Sequence, residues 1–158
     1  MGQRNSAGVI AAGLVLLLAT DAGAQCADDR VTVTGDFGTV RFQVDVADDP
    51  EERARGLMFV EDMGRFEGML FVYEGPRRAT FWMRNTLIPL DMLFAAPDGT
   101  ITFIHPEAVP LDETTIVGGD GVQYVLEING GLAARLGIEA GDVLQHPAFG
   151  DAAALPCS

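Results

Sequence analysis

Residues 81–94, FWMRNTLIPLDMLF, constrain the fold more than any other stretch, because nine of the fourteen are large and apolar while Arg84, Asn85, Thr86 and Asp91 interrupt them. The stretch is too polar to span a membrane, and Pro89 rules out one long helix, so it predicts two core strands meeting at a bend. Polar groups carried into a core need partners. That requirement makes these four side chains the most informative in the chain.

The N-terminus has the form of a secretory signal. Arg4 supplies a positive region, Val9–Ala19 is an unbroken apolar run of eleven residues, and Ala22-Gly23-Ala24 offers a cleavage site. A spanning helix needs about 20 apolar residues, so the reading is a cleaved signal over 1–24, a periplasmic or secreted product and no stable membrane insertion afterwards. What remains has the length of one domain with one substantial core. Cleavage removes Arg4 and Asp21 together, leaving the formal charge at −13 in a chain without lysine. Nucleic acid is therefore not expected as a partner, since phosphate binding needs a basic face. Cys26 and Cys157 are the only cysteines. In an oxidising compartment they read as one disulfide joining the ends of the mature chain, the alternatives being two unpaired thiols or a link to another chain.

Along the chain, Val40, Phe42, Val44 and Val46 alternate with Arg41, Gln43 and Asp45, a half-buried strand that forms a hairpin with residues 30–34 across Gly35-Asp36-Phe37-Gly38. Asp49, Pro50 and Glu52 announce a short helix ended near Gly56, with Leu57, Met58 and Phe59 passing into the core. Residues 68–73 predict a strand buried on both faces and stopped by a turn at Glu74-Gly75-Pro76. After the central stretch, Pro97-Asp98-Gly99 turns the chain into a strand with Ile101, Phe103 and His105 on one face. Residues 106–121 read as the longest loop, 122–129 as a strand, 130–136 as a short helix capped by Asn129 and stopped by Gly137, and 138–144 as a turn leading into a last strand. The expected fold is mainly β with an α+β character: a compact single-domain β-barrel-like or rolled antiparallel sheet over 25–150, two short helices, and a loosely held tail over 151–158.

Gly56-Leu57-Met58, Gly68-Met69-Leu70-Phe71, Phe81 to Thr86, Ile88-Pro89-Leu90-Asp91, Val125 to Gly131 and Gly137-Ile138 with Gly141-Asp142 together resemble the prokaryotic domain-of-unknown-function family 192 over roughly residues 31–149. Members of that family often carry a basic residue shortly after the Gly-Leu-Met motif, where this chain has Val60. The resemblance implies a small, often exported β-rich domain of uncharacterised activity.

The candidate site residues are Trp82, Arg84, Asn85, Asp91 and Glu127. An arginine beside carboxylates in core-like strands suits either a structural network or a polar pocket holding an anionic or hydroxyl-bearing ligand. Two carboxylates close together would also suit glycoside hydrolysis. Trp82 points opposite to Phe81 and Met83 if its segment is extended, so it can present a stacking surface. His105 and His146 lie apart, and Met58, Met63, Met69, Met83 and Met92 form no ligand pattern, so no metal or other cofactor is implied. The serines lie only at positions 6 and 158 and the cysteines have no local histidine, which leaves no catalytic nucleophile of those kinds. The reading is an exported, non-catalytic protein that binds an unknown small molecule, envelope polymer or protein. The alternatives are an envelope carbohydrate hydrolase using Asp91 and Glu127, or a purely structural envelope protein.

Overall fold

Period-two alternation puts Phe42 and Val44 inside and Arg41, Gln43 and Asp45 outside, and the computed structural model, which describes residues 26–157, places them so in β2 (Gly38–Ala47). β1 (Arg30–Gly35) pairs with it antiparallel, Gly35 opposite Gly38, as the hairpin requires. The expected signal segment lies outside the described residues.

α1 (Pro50–Arg55) begins at Asp49, whose carboxylate accepts the amides of Glu51 and Glu52, both at 2.8 Å, and it ends at Gly56, whose φ of 49° favours glycine. The helix bridges β2 to β3 (Glu67–Phe81), and the connection makes these two strands parallel. β3 differs from the expected strand and turn. It is one strand of fifteen residues, and Glu74-Gly75-Pro76 sits in a register shift against β6 (Ile116–Asn129), where proline's missing N–H leaves no ladder partner unmet. β6 in turn absorbs residues 116–121 of the predicted long loop.

β4 (Leu90–Ala95) is buried throughout between β5 (Ile101–Ala108) and β6. The sheet order is β5-β4-β6-β3-β2-β1-β7, with β7 at Val143–Gln145. The seven strands curl into a half-barrel whose ends meet: Thr100 bridges Val143, and the amides of Ile101 and Leu144 donate to the carbonyls of Asp142 and Gly99, each at 2.8 Å. The residues between the two expected central strands run differently. β3 ends at Phe81, and 82–89 form a loop rather than a strand.

Each face of the sheet carries a core. The first, within the curl, gathers Val31, Val33, Phe42, Leu70, Leu93, Leu126, Ile128 and Leu144 under α2 (Leu132–Leu136). The second, on the outer face, gathers Leu57, Phe71, Met83, Met92, Phe94 and Val125. Val122, which strict alternation would place on the face of Tyr124 and Leu126, packs in the second core because the register shift intervenes. The C-terminal segment is anchored: Phe149, in a 3₁₀ turn over Pro147–Ala152, is buried against Tyr124, the Ala154 amide donates to Asp98, and Cys157 is disulfide-bonded to Cys26.

Candidate functional site

Strand register separates the two carboxylates of interest. Asp91 lies opposite Ile128 and Met92 opposite Glu127 on the paired strands β4 and β6. Residues directly opposite share a face and successive residues alternate, so Asp91 points with Ile128 into the first core while Glu127 points with Met92 into the second. The two groups occupy opposite faces of one sheet. They cannot act on one glycosidic bond.

Asp91 is fully buried and its carboxylate is saturated. Oδ1 accepts the amides of Glu107 and Gly131, and Oδ2 accepts the amide of Ala133, all at 2.8 Å. The expected cap of α2 by Asn129 is replaced by this carboxylate from β4, which serves the first amides of the helix and pins the end of β5 as well. Asn129 instead donates to the carbonyls of Gly64 at 2.8 Å and Met63 at 3.4 Å.

Glu127 is the opposite case. It is 4% exposed, and burial alone lifts its pKa from the ordinary 4.5 to about 8, with no hydrogen bond or cation lowering it. It stands among the lining residues of a cavity of about 210 Å³ on the outer face, walled by Leu57, Phe71, Tyr73, Phe81 and Trp82. Tyr73 lies within electrostatic reach of it: burial raises the Tyr73 hydroxyl, Arg77 and Arg53 pull it down, and Glu127 pushes it up.

Of the other predicted residues, Trp82 and Arg84 line this cavity. Trp82 is 46% exposed and carries the Arg84 guanidinium 5.3 Å from its ring centre. Arg84 also reaches Glu113 at 3.9 Å, a solvent-exposed pair of small energetic consequence. Asn85 is not a lining residue. It adopts φ 55°, its carbonyl accepts the Phe59 amide at 2.8 Å, and its Nδ2 approaches the Met58 sulfur at 3.8 Å, so it fixes the segment after α1 that forms one wall. That tie also corrects Phe59, expected in the core. Its backbone is drawn into φ 64° and its ring is left 65% exposed.

Sequence reasoning missed Arg53, Arg55 and Tyr73 as neighbours of Glu127. Arg53 donates to the carbonyls of Asp48 and Val72 and lies 5.2 Å from the Tyr73 ring centre. A signal was present in the spacing, since α1 leads straight into the Gly-Leu-Met motif. His146 is structural. Its Nδ1 accepts the Ala148 amide at 3.1 Å, which leaves the Nε2 proton for the Asp28 carbonyl at 2.9 Å, and burial holds its pKa below 6.5.

Two solved structures are similar to this chain. A crystal structure of a protein of unknown function from Novosphingobium aromaticivorans DSM 12444 is 50% identical with a TM-score of 0.71, covering 73% of this chain and 82% of that one. A crystal structure of a "putative transcription regulator" from Sinorhizobium meliloti 1021 is 45% identical with a TM-score of 0.72, covering 76% of this chain and 94% of that one. No curated protein matches. The family model described as "Uncharacterized ACR" matches residues 31–146, and with the half-barrel and its motifs in place the chain belongs to the domain-of-unknown-function family DUF192.

Proposed function

We propose that the protein is an exported ligand-binding module whose site is the cavity over Glu127, with Trp82 and Arg84 at its mouth, Asn85 holding one wall, and Asp91 supporting the fold from the other side of the sheet. The observation that carries this reading is the buried carboxyl of Glu127, which opens into an aromatic-walled cavity without a protein partner among the described residues. Such a group costs stability unless water or an occupant hydrogen-bonds to it. Export is supported by the apolar leader in the sequence and by the Cys26–Cys157 disulfide. No helix among the described residues is long and apolar enough to cross a membrane. Transcription regulation through DNA binding, one reading of the Sinorhizobium protein's name, finds no support in a chain of charge −13.

A thermal-shift screen against envelope sugars, peptides, calcium and copper tests the reading, because a ligand that binds only the folded state raises the melting temperature. The expected result is a stabilising ligand whose effect is lost in Trp82→Ala at unchanged intrinsic stability. A screen without a stabilising ligand, or one whose effect survives both Trp82→Ala and Glu127→Gln, overturns it.

A further inference from the structure

Charge around the cavity differs from charge over the rest of the chain. Arg53, Arg55 and Arg84 line it, and among the described residues Glu127 is the only carboxyl that does. Burial keeps that carboxyl protonated at neutral pH. The wall is therefore cationic in a protein of formal charge −13.

Three classes of occupant can be compared on this basis. A cation meets three guanidiniums and no anion, and the aromatic faces that would receive it already carry cations: Arg84 over Trp82 at 5.3 Å, and Arg53 and Arg77 over Tyr73 at 5.2 and 4.8 Å. A neutral molecule satisfies Glu127 but gives the mouth arginines no partner. Arg55 is exposed and makes no ion pair among the described residues, and Arg84 has only its long surface contact with Glu113. An anion answers both, since guanidinium groups recognise carboxylate and phosphate oxygens through paired N–H donors. Arg53, already committed to two backbone carbonyls, is the fixed member of the set. The cavity volume of about 210 Å³ falls below the roughly 300–1,000 Å³ of drug-sized ligand sites, which limits the occupant to about one ring.

Resting on the binding reading above, we propose that the cavity takes a small organic anion, a carboxylate or phosphate monoester on a single apolar ring, with its charge at Arg55 and Arg84 and its ring between Phe71, Phe81 and Trp82 above Glu127.

Matched probes test this by calorimetric titration of the disulfide-bonded protein: phenylacetate, phenyl phosphate, the neutral phenylacetamide, the cationic phenethylamine, and inorganic phosphate alone. The expected result is that at least one aromatic anion binds tenfold or more tightly than the amide and the amine, and more tightly than inorganic phosphate. The preferred anion then distinguishes carboxylate from phosphate. The Arg55→Gln, Arg84→Gln double variant loses about tenfold in anion affinity at an unchanged melting temperature. Both side chains are exposed, so folding is not at risk. Amide or amine binding as tight as the anions overturns the anionic class and leaves the cavity as a binding site. Inorganic phosphate binding as tightly as phenyl phosphate overturns the role of the ring. Absence of binding by every probe overturns this inference, and the thermal-shift screen then decides the binding reading separately.

Discussion

Two acids one residue out of step across a strand pair have opposite roles, and each role predicts its own variant. Asp91 makes three charge-assisted bonds to backbone amides in a fully buried position. Asp91→Ala leaves those donors unmet and is expected to cost about 3–5 kcal/mol in urea denaturation, given about 1–3 kcal/mol for each stranded donor and partial relaxation. Glu127 works against the fold as pH rises. The folded state holds a proton that the unfolded chain releases above the ordinary 4.5, so stability falls from there until the folded group ionises near pH 8. Tyr73, Arg53, Arg55 and Arg84 are the titratable groups around it. Glu127→Gln is therefore expected to be more stable than the parent at pH 8–9, by an amount that shrinks toward zero near pH 4.5; melting temperatures across that range measure it. A variant that melts lower at every pH contradicts it. Phe59 gives a third test, because its exposed ring contributes little burial and its φ of 64° suits glycine. Phe59→Gly is expected to change stability by less than about 1 kcal/mol, against the 3–5 kcal/mol typical of a core phenylalanine.

At the scale of elements, the cavity exists because the loop over 82–89 is held on two sides. Asn85 takes the Phe59 amide, the Thr86 carbonyl takes the Leu111 amide at 3.1 Å, and the Met83 amide donates to Asp112 at 2.8 Å. β3 and β6 approach closely at Gly68, where an added Cβ would overlap the Glu127 carbonyl oxygen. Gly68→Ala is expected to cost at least the 1–3 kcal/mol of an overpacked core, and to weaken ligand binding by displacing Glu127; denaturation and titration of one sample check both. Local signals were legible in the sequence. Alternation located β2, and Asp49 with Pro50 located α1, because each depends on neighbours in the chain. The bulged length of β3 was not legible, since Glu74-Gly75-Pro76 has the composition of a turn and only its pairing with β6 makes it a strand. The site was legible as a set of polar residues in apolar surroundings. Which of them meet was not, because the side on which Asp91 and Glu127 fall is decided by register across strands far apart in sequence.

For the whole molecule, the sheet closes through the Thr100–Val143 bridge, and the Cys26–Cys157 disulfide, spanning 131 positions, ties the ends together. Loop-closure entropy for so long a span gives about 4–5 kcal/mol in the chain-entropy model. The reduced protein is therefore expected to unfold at clearly lower urea concentration than the oxidised one, and coincident curves would show that the bond adds nothing. The proposed roles divide between the faces of one sheet: Asp91 on the inner face stabilises the fold, and Glu127 on the outer face meets a ligand. The most direct test follows the side-chain carboxyl ¹³C resonances of both residues by NMR while phenylacetate and then phenyl phosphate are added to the native protein. The predicted result is a saturable shift of the Glu127 signal with Asp91 unmoved. A silent Glu127, or an Asp91 signal that moves in step with it, would contradict that division.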